Sequence, residues 1–435
     1  MGIDAGVITK KRLGDDSETM ILHENTMNKT QLKTVWTMMF LYFCFYFSKY
    51  NMSAATKPIQ DAFGFTSAEF GMVFTVFTAV YAFGQFFSGF LADRYNAKTI
   101  MLVGVTGSLL ANFFFGMSSA LSFFVLFWGA NALAMSLGWA PGCNILYNWL
   151  PQKRWGMYMG FFCAMCYAGG AVVLPISAKI VSVWGWKGSF FITPLFLAAM
   201  ATVFFFIVKP SPEAAGFDTD WKVAGGSKKK VSGADYWKAF SHPKMIMAYV
   251  TVICANFVRW GLINWIVKIL NEPLDSGGYG LTLVIAGLVG SMIHWGGAFF
   301  SVVFGWLSDK VFKGVRWQSI VIGFVISGCA LLILAKGPGL LSLPGGMVIL
   351  CLVLFVSGGV IQAIQAPLFS LPGDILGDKL GATGSGVMNG WSYVGASFSG
   401  VFLGWIMDSS GFMAGILFLA TICAVGSGLA LTIRR

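Results

Sequence analysis

Two basic residues, Lys49 and Arg259, lie alone in long apolar stretches of this 435-residue chain, and each is the only charged residue in its stretch. A charged side chain at the centre of a bilayer is costly, so intramembrane charges are rare and usually functional. None of the 18 Asp and Glu residues falls in the interior of such a stretch. Because an uncompensated buried charge is unfavourable, the two cations predict a binding site for an anion that arrives from solution.

The same two cations also allow a structural interpretation. Lys49 could extend its ammonium group to the membrane surface, and Arg259 could pair with an acid that the sequence pattern does not reveal. We favour anion binding because no acid falls in the interior of an apolar stretch.

Several polar and aromatic residues lie at helical spacing from the two cations. Tyr42 and Tyr46 share a helix face with Lys49, and Asn256 precedes Arg259 by one turn. Trp139 stands just before Pro141, where a local helix break could bring its indole N–H into the site.

His294 is the only histidine inside an apolar stretch. It is either a hydrogen-bonded packing residue or a functional group that titrates near neutral pH. The sequence leaves both interpretations open.

The elements that hold these residues are membrane-spanning helices. The chain is 57% hydrophobic and 11% charged, with a mean hydropathy of +0.74, and a helical span needs about 20 apolar residues. Twelve stretches qualify, which predicts an all-α membrane protein with twelve transmembrane helices. We number these spans one to twelve: 35–56, 67–91, 99–118, 121–148, 157–183, 190–208, 245–267, 279–307, 317–335, 345–371, 382–407 and 411–433.

The polar segments between the spans predict the domain organisation and the orientation. A tail, 1–34, precedes an N-terminal six-helix bundle, 35–208, and a linker, 209–244, separates it from a C-terminal bundle, 245–433. Most of the 29 Lys and Arg residues fall in the tail, the linker and the loops of one side. Cytoplasmic loops carry such an excess, so both termini are predicted to be cytoplasmic, and the net charge of +11 reflects orientation and not nucleic-acid binding.

The two predicted bundles repeat each other. Gly89-Phe-Leu-Ala-Asp93-Arg94 closes span two and Gly305-Trp-Leu-Ser-Asp309-Lys310 closes span eight, while Ala140-Pro141 in span four recurs as Ala366-Pro367 in span ten. Two parallel six-helix repeats predict two pseudo-symmetric bundles. A pseudo-two-fold axis would then set Lys49 and Arg259 opposite each other.

The repeated G-x-x-x-D-[RK] loops resemble the loop motif of the major facilitator superfamily. Further segments resemble its organophosphate:phosphate antiporters, which include glycerol-3-phosphate and hexose-phosphate carriers: Phe47-Ser-Lys49-Tyr-Asn51, Gly138-Trp139-Ala-Pro141, Cys163-Ala-Met-Cys-Tyr-Ala-Gly169-Gly170 and Val258-Arg259-Trp-Gly-Leu-Ile-Asn-Trp265. The resemblance implies substrate contacts for Tyr42, Tyr46, Lys49, Trp139 and Arg259. It also implies that Asp93, Arg94, Asp309 and Lys310 hold a cytoplasmic gate shut, although these residues could instead serve only as topology signals.

Three positions depart from the antiporter pattern. Lys49 stands where the antiporters carry Arg, Met165 where they carry His, and His294 where they carry Glu. Lysine offers a point charge instead of the planar fork that grips phosphate with two bonds. An organophosphate, a sulfonate and a sugar acid therefore all remain possible substrates.

Enzyme chemistry and cofactors find no support, because the chain has neither a G-x-x-x-x-G-K-[ST] phosphate loop nor an H-E-x-x-H helix. We expect a monomeric secondary transporter of the inner cell membrane whose partners are a small anion and the lipid bilayer. Exchange of one anion for another is the favoured mechanism. Proton symport through His294, or a sensor on the same fold, are the alternatives.

Overall fold

The computed structural model describes residues 9–12, 18–22, 27–151, 154–219, 237 and 240–434. Most of the predicted linker lies beyond these ranges, and so does the tail apart from two short strands and residues 27–34. The side chains of Asp93 and Asp309 are likewise not among those described.

The first six spans are helical, and their bounds differ from the prediction most in span one, whose helices run from Lys29 to Phe63, and in span five. Span one consists of two helices, and the helix of span five continues to Phe191 with a break at Gly185, whose φ is 70° and ψ is 174°. The helices are Lys29–Phe45 and Asn51–Phe63 for span one, Ser67–Arg94, Ala97–Met117 and Leu121–Trp149 for spans two to four, and Trp155–Phe191 and Thr193–Ile207 for spans five and six.

The remaining spans are helical as well. Helical residues run without interruption from Gln365 to Ser410, yet a Cβ on Gly384 would lie 3.0 Å from the Cβ of Pro372. The chain therefore reverses between these residues, and the helix Gln365–Ser410 contains the end of span ten and all of span eleven. The other helices are Pro243–Asn271, Leu283–Trp306, Arg316–Leu334, Gly346–Ala363 and Phe412–Thr432.

Within the described residues, nine helices are by themselves long and apolar enough to cross a membrane. The other three predicted spans are explained by their geometry. Span one is broken, the helix Thr193–Ile207 of span six has 15 residues, and span eleven is joined to span ten.

Local sequence signals set several helix starts. Asn28 and Thr66 each cap a helix with a reciprocal box. In the second box, the Thr66 hydroxyl accepts from the Glu69 amide at 3.2 Å, and the Glu69 carboxylate accepts from the Thr66 amide at 2.9 Å. Such a box satisfies amide groups that lack an intrahelical partner.

The two six-helix bundles contact each other through spans two and eleven, spans five and eight, and spans one and seven. Span eight is the counterpart of span two in the other bundle, and span five is the counterpart of span eleven. The first two contacts are therefore equivalent, which agrees with the predicted pseudo-symmetry. Glycines permit backbone contact between spans two and eleven, because a Cβ on Gly71 would lie 2.5 Å from the carbonyl oxygen of Gly400.

A small sheet lies outside the helices, and the sequence analysis did not predict it. Strand β1, Thr9–Arg12, pairs antiparallel with β2, Glu18–Leu22, which pairs in parallel with β3, Phe217–Thr219. The sheet joins the N-terminal tail to the start of the predicted linker. Its ring contact between Phe217 and Trp149, with centroids 6.5 Å apart, places it against the end of span four.

Candidate substrate-binding site

Lys49 lies at a break in span one. The helix ends at Phe45, a short 3-10 turn covers Tyr46–Ser48, and a new helix begins at Asn51. Lys49 itself has a non-helical φ of −122° and ψ of −56°. Discontinuous helices at the bilayer midplane are a recurrent feature of transporter binding sites. The segment contains neither Pro nor Gly, so the sequence carried no signal for the break.

Buried amide side chains supply the hydrogen bonds that the broken helix loses. The Ser48 carbonyl accepts from Asn131 Nδ2 at 2.8 Å and from Asn112 Nδ2 at 3.4 Å. On the other side of the break, Asn51 Nδ2 donates to Asn112 Oδ1 at 3.0 Å. Backbone groups inside a membrane protein need such partners because no bulk water is available. Spans three and four therefore stabilise the irregular backbone at Lys49.

The Lys49 ammonium sits in a cage of aromatic rings, and the side chain is buried with a residue exposure of 8%. Trp260 of span seven is the nearest ring, with its centroid 4.4 Å from Nζ. The other four centroids lie at 5.0 Å for Tyr81, 5.4 Å for Phe77 and 5.6 Å for both Tyr46 and Tyr50. Rings attract a cation through their negative faces.

Arg259 shares Trp260 with Lys49. Its guanidinium carbon lies 5.7 Å from the Trp260 ring, so the two charged groups are at most about 10 Å apart. The Arg259 Nε is buried and has no hydrogen-bond partner. No ion pair in the described part of the chain involves Lys49 or Arg259.

Three predicted aromatic residues form one wall next to the cage. The ring of Tyr42 lies 5.8 Å from Tyr46 and 5.7 Å from Trp139, and Trp139 stacks on Phe162 at 4.9 Å. Tyr46 belongs to both the wall and the cage. The structure thus brings Tyr42, Tyr46 and Trp139 to the same region as Lys49.

Asn256 lies on span seven with Arg259, but its side-chain amide donor is already occupied. Its Nδ2 donates to the Val252 carbonyl at 3.0 Å and to Gln365 Oε1 at 3.2 Å. The Nε2 of Gln365 is buried without a partner. Gln365 is therefore a free donor that the sequence analysis missed, although it directly precedes the repeated Ala366-Pro367 pair.

A small cavity adjoins the Lys49 ammonium between spans one, two and seven. Its lining includes Ser53, Thr78, Trp260 and Asn264. The Asn264 Nδ2 is buried and has no partner. An unpaired donor in a cavity that Lys49 lines favours an anion or an ordered water in this region.

His294 lies between the two bundles, with an exposure of only 1%. Its ring is 4.6 Å from the ring of Tyr50, and a Cβ on Gly170 would lie 3.0 Å from its Cε1. Its Nδ1 has no hydrogen-bond partner. His294 therefore packs against spans one and five. Its Nδ1 does not form the hydrogen bond that a packing histidine would be expected to make.

Polar contacts join the bundles at the face opposite the two chain ends. Lys57 Nζ lies 3.1 Å from Glu272 Oε2, and Lys268 Nζ donates to Ser67 Oγ at 2.8 Å. The carboxylate of Asp408 in span eleven accepts from the Ser67 amide at 3.0 Å and the Ala68 amide at 2.7 Å, at the start of span two. We call these three contacts, Lys57–Glu272, Lys268–Ser67 and Asp408 with Ser67 and Ala68, the opposite-face contacts.

The predicted gating residues lie at the other face. Span two ends at Arg94, which is exposed, and the exposed Lys310 lies in the π-turn Leu307–Val311 that follows span eight. The side chains of Asp93 and Asp309 lie outside the description. An ion pair that the sequence analysis missed is found nearby, where Arg316 Nε lies 3.0 Å from Asp374 Oδ2. Gating by the four predicted residues stays a prediction.

Known proteins with sequence similarity include proteins named as carriers and proteins named as a membrane sensor. The chain is 25% identical to a "Probable hexose phosphate transport protein" of Chlamydia trachomatis, and the alignment covers 66% of this chain and 66% of the relative. It is 27% identical to the "Membrane sensor protein UhpC" of Salmonella typhimurium, covering 66% of this chain and 65% of the relative. A "Probable sulfoacetate transporter SauU" of Cupriavidus necator is 23% identical, covering 83% and 84%. The first two alignments span just under two thirds of the relatives' own length. The similarity confirms the resemblance to the organophosphate carriers.

The fold is also that of a solved structure. A bacterial homologue of the human lysosomal transporter Spinster superposes with a TM-score of 0.79 at 15% identity, covering 94% of this chain and 98% of that one. The model of the Major Facilitator Superfamily matches residues 38–400, which include both cations, both loop motifs, spans two to ten and most of spans one and eleven. Given this match and the twelve spans in two bundles, the chain belongs to the Major Facilitator Superfamily.

Proposed function

We propose that this protein carries a small organic anion across the membrane by alternating access and that Lys49 and Arg259 bind the anion. One observation carries the proposal: two buried cations of the two bundles share the Trp260 ring and form no ion pair with a carboxylate among the described residues. A carrier that binds its anion between two bundles can follow their relative movement, because each bundle contributes one charge.

The substrate class follows from the type of cation and its neighbours. Lys49 and Met165 replace two groups that would favour a phosphate dianion, whereas Arg259 keeps its planar fork. Relatives are named as carriers of hexose phosphate and sulfoacetate, and one further relative is named as a "D-galactonate transporter". We therefore propose an organophosphate, a sulfonate or a sugar acid as the substrate.

Exchange of anions is the mechanism that we favour. Both termini are cytoplasmic in this proposal, and the opposite-face contacts lie on the outer side of the membrane. The predicted gate of Asp93, Arg94, Asp309 and Lys310 would then close the cytoplasmic side in the alternate state. A monomer, with bundles at 35–208 and 245–433, suffices for this cycle.

Transport into liposomes tests the proposal. Purified protein is reconstituted with or without internal anion, and uptake of glucose 6-phosphate, sulfoacetate and galactonate is measured. We expect uptake of at least one anion, stimulated by internal anion, and we expect Lys49→Gln and Arg259→Gln to abolish it. Uptake at full rate by the double variant would refute anion binding by this pair.

Proton symport is the second candidate, because the unpartnered Nδ1 of His294 is a possible proton acceptor. Protonation would add positive charge near Arg259 and Lys49 and so favour anion binding, and by linkage the anion would favour protonation. An imposed pH gradient without internal anion separates the mechanisms. Accumulation that is lost in His294→Gln would indicate symport, whereas uptake that needs internal anion and ignores the gradient would indicate exchange.

A sensor is the third candidate, because of the similarity to a protein named as a membrane sensor. A sensor binds the anion without carrying it at a useful rate. Anion binding that depends on Lys49 and Arg259, together with no uptake in any liposome experiment, would indicate this function.

A further inference from the structure

We propose that Trp260 is a positioning residue that holds the Lys49 ammonium in the empty protein and releases it when the anion binds. This inference rests on the proposed function, because it assigns a partner to a cation of the proposed anion site. Its contribution is a link between occupancy of the site and contact between the bundles.

The first step of the argument is the composition of the aromatic cage. Tyr46 and Tyr50 belong to span one, and Phe77 and Tyr81 belong to span two, so four of the five rings lie in the same bundle as Lys49. Among the described residues, Trp260 in span seven is the one ring from the other bundle near Lys49, and it is also the nearest ring. The cation therefore contacts the other bundle chiefly through this indole.

The second step concerns what the ammonium lacks. It is buried, and no carboxylate among the described residues pairs with it. Tryptophan gives the strongest of the cation–π attractions, and desolvation strengthens them. The indole face thus supplies part of the negative potential that an anion would supply, and the anion and the ring compete for the same ammonium group.

The third step is the position of Arg259. Its guanidinium lies beside the same ring, so an anion held by both cations must approach Trp260. Drawing Nζ from the ring to the anion replaces a contact between bundles by a contact to the substrate. The opposite-face contacts then hold the bundles with less help from span one, which favours the change of state when substrate is present.

The first test measures the affinity for the anion. Because removal of the competing ring frees the ammonium, Trp260→Leu should bind the anion about 5- to 30-fold more tightly, the effect of one cation–π contact. Trp260→Phe should lie between the wild type and Leu, since phenylalanine keeps a weaker ring. A packing defect or loss of a direct substrate contact would weaken binding, and weaker binding in both variants would overturn the inference.

The second test is a double-mutant cycle on the empty protein. Spin labels at Tyr147 and Ser370, in a background without the eight cysteines, report the separation of the two bundles at the face of the chain ends. The carrier has two states that differ in this separation, and the labels give the ratio of their populations. Trp260→Leu should change that ratio several-fold with Lys49 present and less than twofold in the Lys49→Met background. An equal change in both backgrounds would show that the indole only packs.

Trp265→Leu is the matched control. Trp265 lies on the same helix and also meets a ring of the other bundle, Phe74, at 5.3 Å, but it is not among the rings around Lys49. Its effect should be the same in both Lys49 backgrounds. If Trp260→Leu does not fold, the same cycle with Trp260→Phe decides.

The failures of the two proposals are distinguishable. If Lys49→Gln abolishes anion binding but the cycle shows no coupling between Lys49 and Trp260, the positioning role is wrong and the anion site stands. If anion binding ignores both Lys49 and Arg259, the proposed function fails whatever the cycle shows.

Discussion

Asp408 connects the two bundles through the start of a helix, and its replacement by asparagine should shift the carrier toward the state that is open at the opposite face. The carboxylate belongs to span eleven and accepts from two amides at the N-terminus of span two, at 3.0 and 2.7 Å. These amides belong to the first turn, where no intrahelical acceptor exists and where the helix dipole favours negative charge.

The magnitude follows from these contacts. Hydrogen bonds to a charged group contribute about 1.5–3 kcal/mol when buried, and the attraction of a carboxylate to a helix N-terminus is about 0.3–1 kcal/mol at an exposed site. Asp408 is exposed, although Ser67 is buried. We therefore expect Asp408→Asn to cost about 1–2 kcal/mol, which is roughly a 5- to 30-fold change in the ratio of the two states.

Spin labels at Lys187 and Ser276, one on each bundle at this face, measure that ratio without substrate. Both residues are exposed. Asp61→Asn is the matched control, because Asp61 lies at the same face but its ion pair with Lys57, at 3.1 Å, stays within one helix. An unchanged ratio in Asp408→Asn, or an equal change in both variants, would refute the reasoning.

Three further predictions concern the site and its support. Asn131→Ala should lower the free energy of unfolding by about 1–3 kcal/mol, because the buried Ser48 carbonyl loses its shorter hydrogen bond; thermal unfolding in detergent checks this, with exposed Thr202→Ala as the control. Gly71→Val should disfavour the contact of spans two and eleven, because its Cβ would overlap the Gly400 backbone, and the Lys187–Ser276 label pair should report a wider separation, whereas Gly64→Asn, at a position with open space around it, should not. Lys49→Arg should keep or raise the affinity for a phosphate ester and lower the selectivity for a monoanion, because arginine can make two parallel bonds to phosphate; a binding series over the three anion classes decides, and loss of phosphate binding alone would contradict it.

Hydropathy alone determined the number of spans, because each span must hide its backbone in hydrocarbon and so needs a long apolar run. The same reasoning identified Lys49 and Arg259, since a charge in such a run stands out whatever the fold. It could not show that the helix around Lys49 is broken. The Tyr46–Tyr50 segment contains no helix-breaking residue, and the break is stabilised by Asn112 and Asn131 of two other spans.

The spacing along one helix also could not reveal contacts between bundles. Helical spacing identifies Tyr42 and Tyr46 because they share a face with Lys49, but no spacing along one helix links Trp260 to Lys49. Its ring meets Lys49 only when spans one and seven pack together. The role of Asp408 as a cap for span two likewise depends on a helix more than three hundred residues earlier in the chain.

The sequence by itself therefore determined that the chain lies in a membrane, and it determined the twelve spans, the internal repeat and the two charges that have no acid in their spans. These properties depend only on the order of residues along the polypeptide. Tertiary structure decided what surrounds each charge. The aromatic cage of Lys49 and the contacts at the opposite face combine residues from different spans. The nitrogens of Arg259 and His294 lack partners because of how those spans pack. The free energies of these groups arise only when packing removes water from around them.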